Sequence, residues 1–443
     1  MGGVPFVGVV ALLSFAVVIS SPLGSLTEPD YSKTARSADV MVGQAHFDDV
    51  QRLIRSAGLT STVTIENVQK VLDKDFNERR REKRSVQPDV TNTYLKHNEI
   101  NDFLARVQST ATAADVTMGS LGQSFEGRDT QYVTITQKTA GGTKRDKYLI
   151  VIDAGIHARE WIAPAMALNI INKLAFNPDN DTDVAEMLEK FDWVVAPSIN
   201  PDGYEYSHES RYTRLWRKTR TTKHHSYCRG VDPNRNFGFD WNPAVGGSSD
   251  PCSDIYAGPR AFSEPETENV RQWLTNMRNR AKLYLTLHAY GQYMLYPYGS
   301  DENRRREDED LLVEVANAFA NVLNSKGRRY SVGNSAGLLY PAAGGADDYA
   351  KGELGISLSY TPELAPGADD PKVQTDWRVG FMLPKRKIKS VADDTWEGLK
   401  AMARRVFDEY DNATDDDDVS SRSDWDGWDD IFDEWNDDAF GDD

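Results

Sequence analysis

The chain places two histidines and a glutamate where apolar runs give out. His157-Ala158-Arg159-Glu160 follows directly on Lys147–Asp153 (KYLIVID), and His288 closes the run Leu283-Tyr284-Leu285-Thr286-Leu287. Zinc accepts imidazole nitrogen and carboxylate oxygen, and a catalytic site uses three protein ligands with one position left open. A His and a Glu three residues apart reach one ion when the backbone turns out of a strand end, and ligands collect at the strand ends of α/β sheets. Such a site drops the pKa of bound water to about 7 and polarises a carbonyl. Alone, His157-x-x-Glu160 reads first as a surface turn, because so short a pattern recurs by chance. His288 changes that balance. The other histidines are less suited: His46 lies in an early polar segment, and His97, His208, His224 and His225 fall in polar helix or loop contexts.

The elements that must hold these residues are legible as well. Lys147–Asp153 is continuously apolar, which marks a strand buried on both faces. Leu168–Leu174 continues an amphipathic helix, and Trp193–Ser198 is a second buried strand. Leu283–Leu287 and Ile356–Tyr360 read as further strands, with helices near 264–278, 307–324 and 392–405. Strands alternating with helices predict an α/β fold, a mixed central β-sheet flanked by helices. No repeat period appears.

The formal charge of −18 over 443 residues is unevenly spread. Residues 411–443 carry −14 of it, leaving −4 for the other 410. An acidic run of this kind is expected to be solvated and disordered, although Trp425, Trp428, Phe432, Trp435 and Phe440 leave folding on contact with a partner open. Acidity argues against a nucleic-acid partner, since phosphates reward clustered Lys and Arg. Two cysteines exclude a disulfide-dense or Cys-rich metal module. At the other end, Val4–Ile19 is an apolar run of 16 residues, short of the ~20 a bilayer span wants. A leader over 1–25 is expected, with an N-terminal anchor as the competing reading. Residues 26–84 then read as a small α+β propeptide: a helical pattern at Phe47, Val50, Leu53 and Ile54, a strand at 61–65, and a helix through Val68, Val71 and Leu72. It ends on Arg79-Arg80-Arg81-Glu82-Lys83-Arg84, a processing site for an activating protease at Arg84. The body runs over 85–410.

Seven stretches carry a resemblance: GIHAREW (155–161), SINPDGYEYSH (198–208), RLWRKTR (214–220), GVDPNRNF (230–237), LTLHAYGQYMLYPYG (285–299), LYPAAGGADDY (339–349) and GFMLP (380–384). In this order and spacing the chain resembles the zinc metallocarboxypeptidases of the pancreatic A/B type, over roughly residues 91–407. The resemblance implies a carboxypeptidase-like α/β/α fold, one Zn2+ per catalytic domain, and an inhibitory propeptide, here shortened, to which IENVQKVLD (65–73) corresponds. It implies His157, Glu160 and His288 as metal ligands and Glu363 as general base. Arg217 falls where the family stabilises the oxyanion. Asn234 and Arg235, with Tyr340, fall where it grips the substrate's terminal carboxylate, a task that suits Arg's planar fork. Arg159 and Tyr290 would assist binding further out. Arg211, Arg214, Lys218 and Arg220 read as a solvated basic stretch. Cys228 and Cys252 match the family's disulfide, which closes a loop for roughly 3 kcal/mol.

Specificity turns on Asp347, which matches the floor of the pocket for the last side chain. B-type enzymes carry Asp there and A-type enzymes an apolar residue. An acid in a narrow pocket pairs with Lys or Arg and penalises apolar side chains. Ser335, Gly345 and Ala346 are small enough to leave room for a long one. Asp347 or Asp348 serving only as a helix cap is the plainer alternative. Around the base the sequence departs from the family, with Pro362 before Glu363, Ala365-Pro366 after Leu364, and an extra acidic loop at Gly367–Asp376. The expected function is that of a secreted, monomeric zymogen that removes C-terminal Lys or Arg from peptides. A-type selectivity, and a catalytically silent binding protein, are the competing readings.

Overall fold

The computed structural model describes residues 8–15, 36–43, 46–58, 60–65, 67–81, 89–138, 147–304, 306–367 and 380–412. The processing site at Arg84, most of the acidic loop at 367–376 and the tail from 413 lie outside them.

The first unit is the small α+β layer. Strands β1 (Gly8–Phe15), β2 (Arg36–Gly43) and β3 (Thr60–Ile65) form an antiparallel sheet in the order β2-β1-β3, with helices α1 (Phe47–Ser56) and α2 (Val68–Arg81). Its middle strand thus comes from the apolar run expected as the core of a leader, and among the described residues β2 and β3 each pair with it rather than with each other. Of the apolar stripe expected on α1, Ile54 is buried and Leu53 stays exposed. Val68 and Leu72 of α2 pack on Met382 beside Leu215, and Asp73 pairs with Arg211 at 3.2 Å, so this unit rests on the body.

The body is built on an eight-stranded mixed sheet. In chain order it comprises α3 (His97–Thr110), β4 (Ala114–Gln123), β5 (Asp129–Gln137), β6 (Tyr148–Ala154), α4 (Ile162–Phe176), α5 (Asp183–Lys190), β7 (Phe191–Ala196), α6 (Pro201–Glu209), α7 (Pro265–Met277), β8 (Ala281–Ala289), β9 (Tyr293–Tyr296), α8 (Glu309–Ser325), β10 (Ser331–Asn334), α9 (Ser335–Leu338), α10 (Ala346–Gly352), β11 (Leu358–Leu364) and α11 (Ile388–Asn412). Strand order is β10-β9-β11-β8-β6-β7-β5-β4, with β11, β8, β6 and β7 parallel at the centre. The expected α/β fold, a mixed sheet flanked by helices, is what forms.

Side-chain alternation divides the core into two layers. On β6, Ile150 and Ile152 join one face, covered by α3, α4, α8 and α11, while Leu149 and Val151 join the other, covered by α7 and α10. Helix α4 is not the amphipathic surface helix its sequence suggested. Every residue from Ile162 to Ala175 except Asn172 is buried, because α3 and α11 close over the side away from the sheet. Cys228 and Cys252 form a disulfide with Cα atoms 4.9 Å apart. Among the described residues no helix is long and apolar enough to cross a membrane.

One buried acid sets a pH dependence. Glu266, in the first turn of α7, accepts from the Phe125 backbone N–H through one oxygen and has no partner on the other. Burial pushes its carboxyl up to about 8. A folded-state pKa above the unfolded one means that stability present below about pH 4.5 is lost as pH rises through 8. Glu266→Gln should therefore leave unfolding free energy unchanged at pH 4 and raise it by about 4 kcal/mol at pH 8, read by denaturant titration at the two pH values.

Candidate active site and metal centre

The site gathers at the C-terminal ends of three adjacent parallel strands, β6, β8 and β11. Beyond β6 the chain turns at Gly155 (φ +74°), where a Cβ would meet Pro164 at 3.1 Å and Ser198 at 3.3 Å. Only glycine meets both conditions without strain, and the turn delivers His157 and Glu160 just before α4 begins. His288 is the penultimate residue of β8, and Glu363 on β11 is its register partner.

Ligand atoms of His157, Glu160 and His288 lie within 4.8 Å of one another, all three residues being buried. His157 Nδ1 is 2.9 Å from Glu160 Oε1, and His288 Nδ1 is 3.1 Å from Glu160 Oε2. The far nitrogen of His157, Nε2, stands 3.0 Å from the Asp232 carboxylate. Donating there leaves Nδ1 as a lone pair facing Glu160 and the cavity. Burial, then the nearby Arg217 charge, lowers the His157 pKa and keeps the ring neutral. Against the cost of burial, the two imidazoles pull the Glu160 carboxyl far below the usual carboxylate range. For His288, burial is outweighed by Glu160, and its pKa rises. Two imidazole nitrogens and an ionised carboxylate converging in a buried space fit a zinc ion with one side open.

Asp232 was not singled out from the sequence, although it stands inside the GVDPNRNF stretch. It caps the short turn Pro233–Arg235 by accepting from the Asn234 N–H, accepts from Arg217 Nε at 2.9 Å, and holds His157. Arg217 draws its carboxyl well below the normal range despite burial. The pairing in turn holds the Arg217 guanidinium firmly charged, 3.9 Å from Glu160.

A cavity of about 100 Å3 opens beside the triad. His157, Glu160, Arg217, Asn234, Arg235, His288, Tyr340, Asp347 and Glu363 line it, together with Leu295, Gly299, Ser335, Leu339, Ala342, Gly345 and Thr361. Ala346 is buried but not on the wall; its N–H donates to Asn234. Arg235 is braced by the carbonyls of Gly246 and Asn234. Tyr340 is half-exposed on the loop after α9. Burial pushes Glu363 up to about 8, with His288 pulling the other way. Arg159 and Tyr290 do not line the cavity. They meet on Phe381 instead, the guanidinium 4.5 Å above its ring and Tyr290 edge-on at 4.9 Å.

The expected solvated basic stretch is mostly buried. Arg214 lies 3.6 Å over the Trp161 ring and donates to the carbonyls of Arg159 and Phe381. Lys218 donates to the Pro251 carbonyl, and Arg220 stacks 3.5 Å over Tyr206. Aromatic faces and carbonyls satisfy these cations where no solvent reaches. Of the four, Arg211 alone stays as exposed as expected. His208, too, is buried, stacked 3.7 Å on Trp161.

Residues 100–398 match the zinc carboxypeptidase family, and 23–75 match the carboxypeptidase activation peptide. The chain belongs to the zinc carboxypeptidases. It is a zinc-dependent peptide hydrolase made with an activation peptide. It is 40% identical over 319 residues to carboxypeptidase B of Astacus astacus, covering 72% of this chain and 98% of that one. It is also 36% identical to zinc carboxypeptidase A 1 of Drosophila melanogaster, over 83% and 82% of the two. The crystal structure of carboxypeptidase A from Helicoverpa armigera superposes with a TM-score of 0.76 at 27% identity, over 91% of this chain and 98% of that one. Similar carboxypeptidases therefore carry both A and B names, and the names do not decide selectivity.

The geometry gives Asp232 a measurable weight in this zinc carboxypeptidase. Asp232→Asn should weaken zinc binding by about tenfold or more, in a competition titration with a chelator, because the His157 ring loses the charge that orients it.

Proposed function

We propose that this chain is a secreted B-type carboxypeptidase, removing C-terminal Lys or Arg from peptides. The observation that carries the reading is Asp347. Its side chain lines the cavity, is buried, and has Thr361 as its hydrogen-bonding partner rather than any Lys or Arg among the described residues. Asp348 beside it is spent on the backbone N–H groups of Gly299 and Ser300. Asp347 is in the first turn of α10, where Gly345 occupies the cap position, and its carboxylate also accepts from backbone N–H groups of that turn, its own and that of Asp348. A buried carboxylate without a counter-charge is costly, and a substrate ammonium or guanidinium removes that cost. An apolar side chain would leave it in place.

In this reading His157, Glu160 and His288 hold zinc. The ion supplies Lewis-acid polarisation of the scissile carbonyl and lowers the pKa of a bound water. Glu363 takes a proton from the attacking water on its carboxylate and delivers it to the departing amine nitrogen. Arg217, fixed by Asp232, faces the carbonyl oxygen as negative charge grows there. Arg235 and Asn234 receive the substrate's terminal carboxylate, and Tyr340 closes from its loop. Arg159 and Tyr290, on Phe381, contact residues further from the scissile bond. All the proposed ligands and the base are present, which favours this over a silent binding protein.

Residues 1–25 are proposed as a leader and 26–84 as the activation segment, released at Arg84 to leave the 85–410 domain and its acidic tail as a monomer. Because β1 lies within 8–15, leader removal would take out the strand that joins β2 and β3 and loosen the segment's hold on the body.

The test uses protein cleaved at Arg84 and matched peptides ending in Arg, Lys, Phe and Leu. kcat/KM for Arg and Lys should exceed that for Phe by a hundredfold or more; a Phe preference overturns the reading. Asp347→Ser should remove most of the difference, since a buried unpaired charge is worth a few kcal/mol. Glu363→Gln should lower kcat for every peptide by a factor on the order of 10³.

A further inference from the structure

The negative charge near the pocket does not end with Asp347. Asp153, the sixth residue of β6, is fully buried. One carboxylate oxygen accepts from the Thr286 hydroxyl at 2.8 Å and the other from the Tyr284 hydroxyl. Thr286 is its register partner on β8 and lies two residues before His288, on the same side of that strand. Beyond Thr286 lies the pocket, where Thr361 on β11 holds Asp347. No Lys or Arg pairs with Asp153 among the described residues. Burial pushes its carboxyl up to about 6, the two hydroxyls and then the His288 ring pull it down, and the charge on Asp347, the smallest of these influences, pushes it up. Near neutral pH it is therefore charged, and it feels Asp347 through the pocket wall.

A bridge between β6 and β8 needs no such charge. The strands are already laddered from Leu149 to Ala154, and an amide could keep the bridge by accepting from one hydroxyl and donating through its NH2 to the oxygen of the other. A buried carboxylate is the costlier choice, and two of them in Coulombic reach of each other cost more. That cost falls when a cation enters between the strand ends.

We propose that Asp153 is a second specificity-determining acid of this carboxypeptidase, acting from behind Asp347 to favour a substrate whose last side chain is cationic. It touches no substrate atom. Through Thr286 it holds the end of β8 against β6, and through its charge it deepens the negative potential at the pocket floor. The inference rests on the Lys/Arg reading given above.

Asp153→Asn keeps the shape, accepts from one hydroxyl, donates to the other and removes the charge. In the activated, zinc-loaded enzyme it should raise KM for peptides ending in Arg or Lys about tenfold, with a smaller change in kcat, and so lower the Arg-to-Phe ratio of kcat/KM. Equal losses on Arg and Phe peptides, or an unchanged ratio, overturn the proposal and leave the Lys/Arg reading standing. A wild-type enzyme with no preference for Arg over Phe overturns both. Should Asp153→Asn not fold, Asp347→Asn carries the test through matched inhibitors ending in arginine or in its uncharged ureido isostere, citrulline. Asp153 predicts that a several-fold preference for arginine persists in that variant, and its disappearance contradicts the proposal.

Discussion

The carboxylate of Asp232 ties together everything the cavity needs. It accepts from the ring of His157, from the guanidinium of Arg217 and from the backbone of Asn234, and so links a proposed ligand, a fixed positive charge and the clamp pair. Buried without partners such a group would cost several kcal/mol; with three charged or polar donors it instead fixes their geometry. The three donors come from separate parts of the chain: the turn after β6, the Arg214–Arg220 stretch and the Pro233–Arg235 turn. The sheet sets the first directly, and the second is tied to it by the Ala158 N–H donating to the Arg217 carbonyl at 3.1 Å.

Charge in this molecule has three uses, and only one of them is visible in the net value of −18. The tail carries most of the number, and from residue 413 it falls outside the described residues. Acids such as Asp232 and Glu160 are paired and drawn far down. Asp347 and Asp153 are buried without a cation and pushed up. In the first case the protein supplies the counter-charge. In the second, on the proposed Lys/Arg reading, that role falls to the substrate's last side chain. The basic residues show the converse: Arg214 and Arg220 sit on aromatic faces and backbone carbonyls, building the walls without neutralising the pocket.

How much could be read beforehand follows the physics of each signal. The buried central strands were legible because continuous apolar runs permit little else, and strand ends located His157 and His288. The edge hairpin β4–β5, and short β9 and β10, carry weaker patterns and were passed over. α4 was misjudged as amphipathic because its apolar excess signals burial on all sides, which only the packing of α3 and α11 reveals. The Arg214–Arg220 stretch was taken as solvated, since charge density alone cannot show that Trp161 and Tyr206 lie beneath it. Asp153 sat inside a strand-forming run, and Asp232 beside a turn proline. Neither spacing nor composition distinguishes such acids from ordinary caps until their partners, up to 133 positions away for Asp153 and Thr286, are in place.

The most direct test of the account is the metal's immediate surroundings in the activated protein. Zinc analysis together with X-ray absorption at the zinc edge should give one ion per chain, two imidazole nitrogens, and otherwise only oxygen scatterers, with no sulfur. A third imidazole, a sulfur scatterer, or the same spectrum after His288→Ala would contradict a centre built from His157, Glu160 and His288.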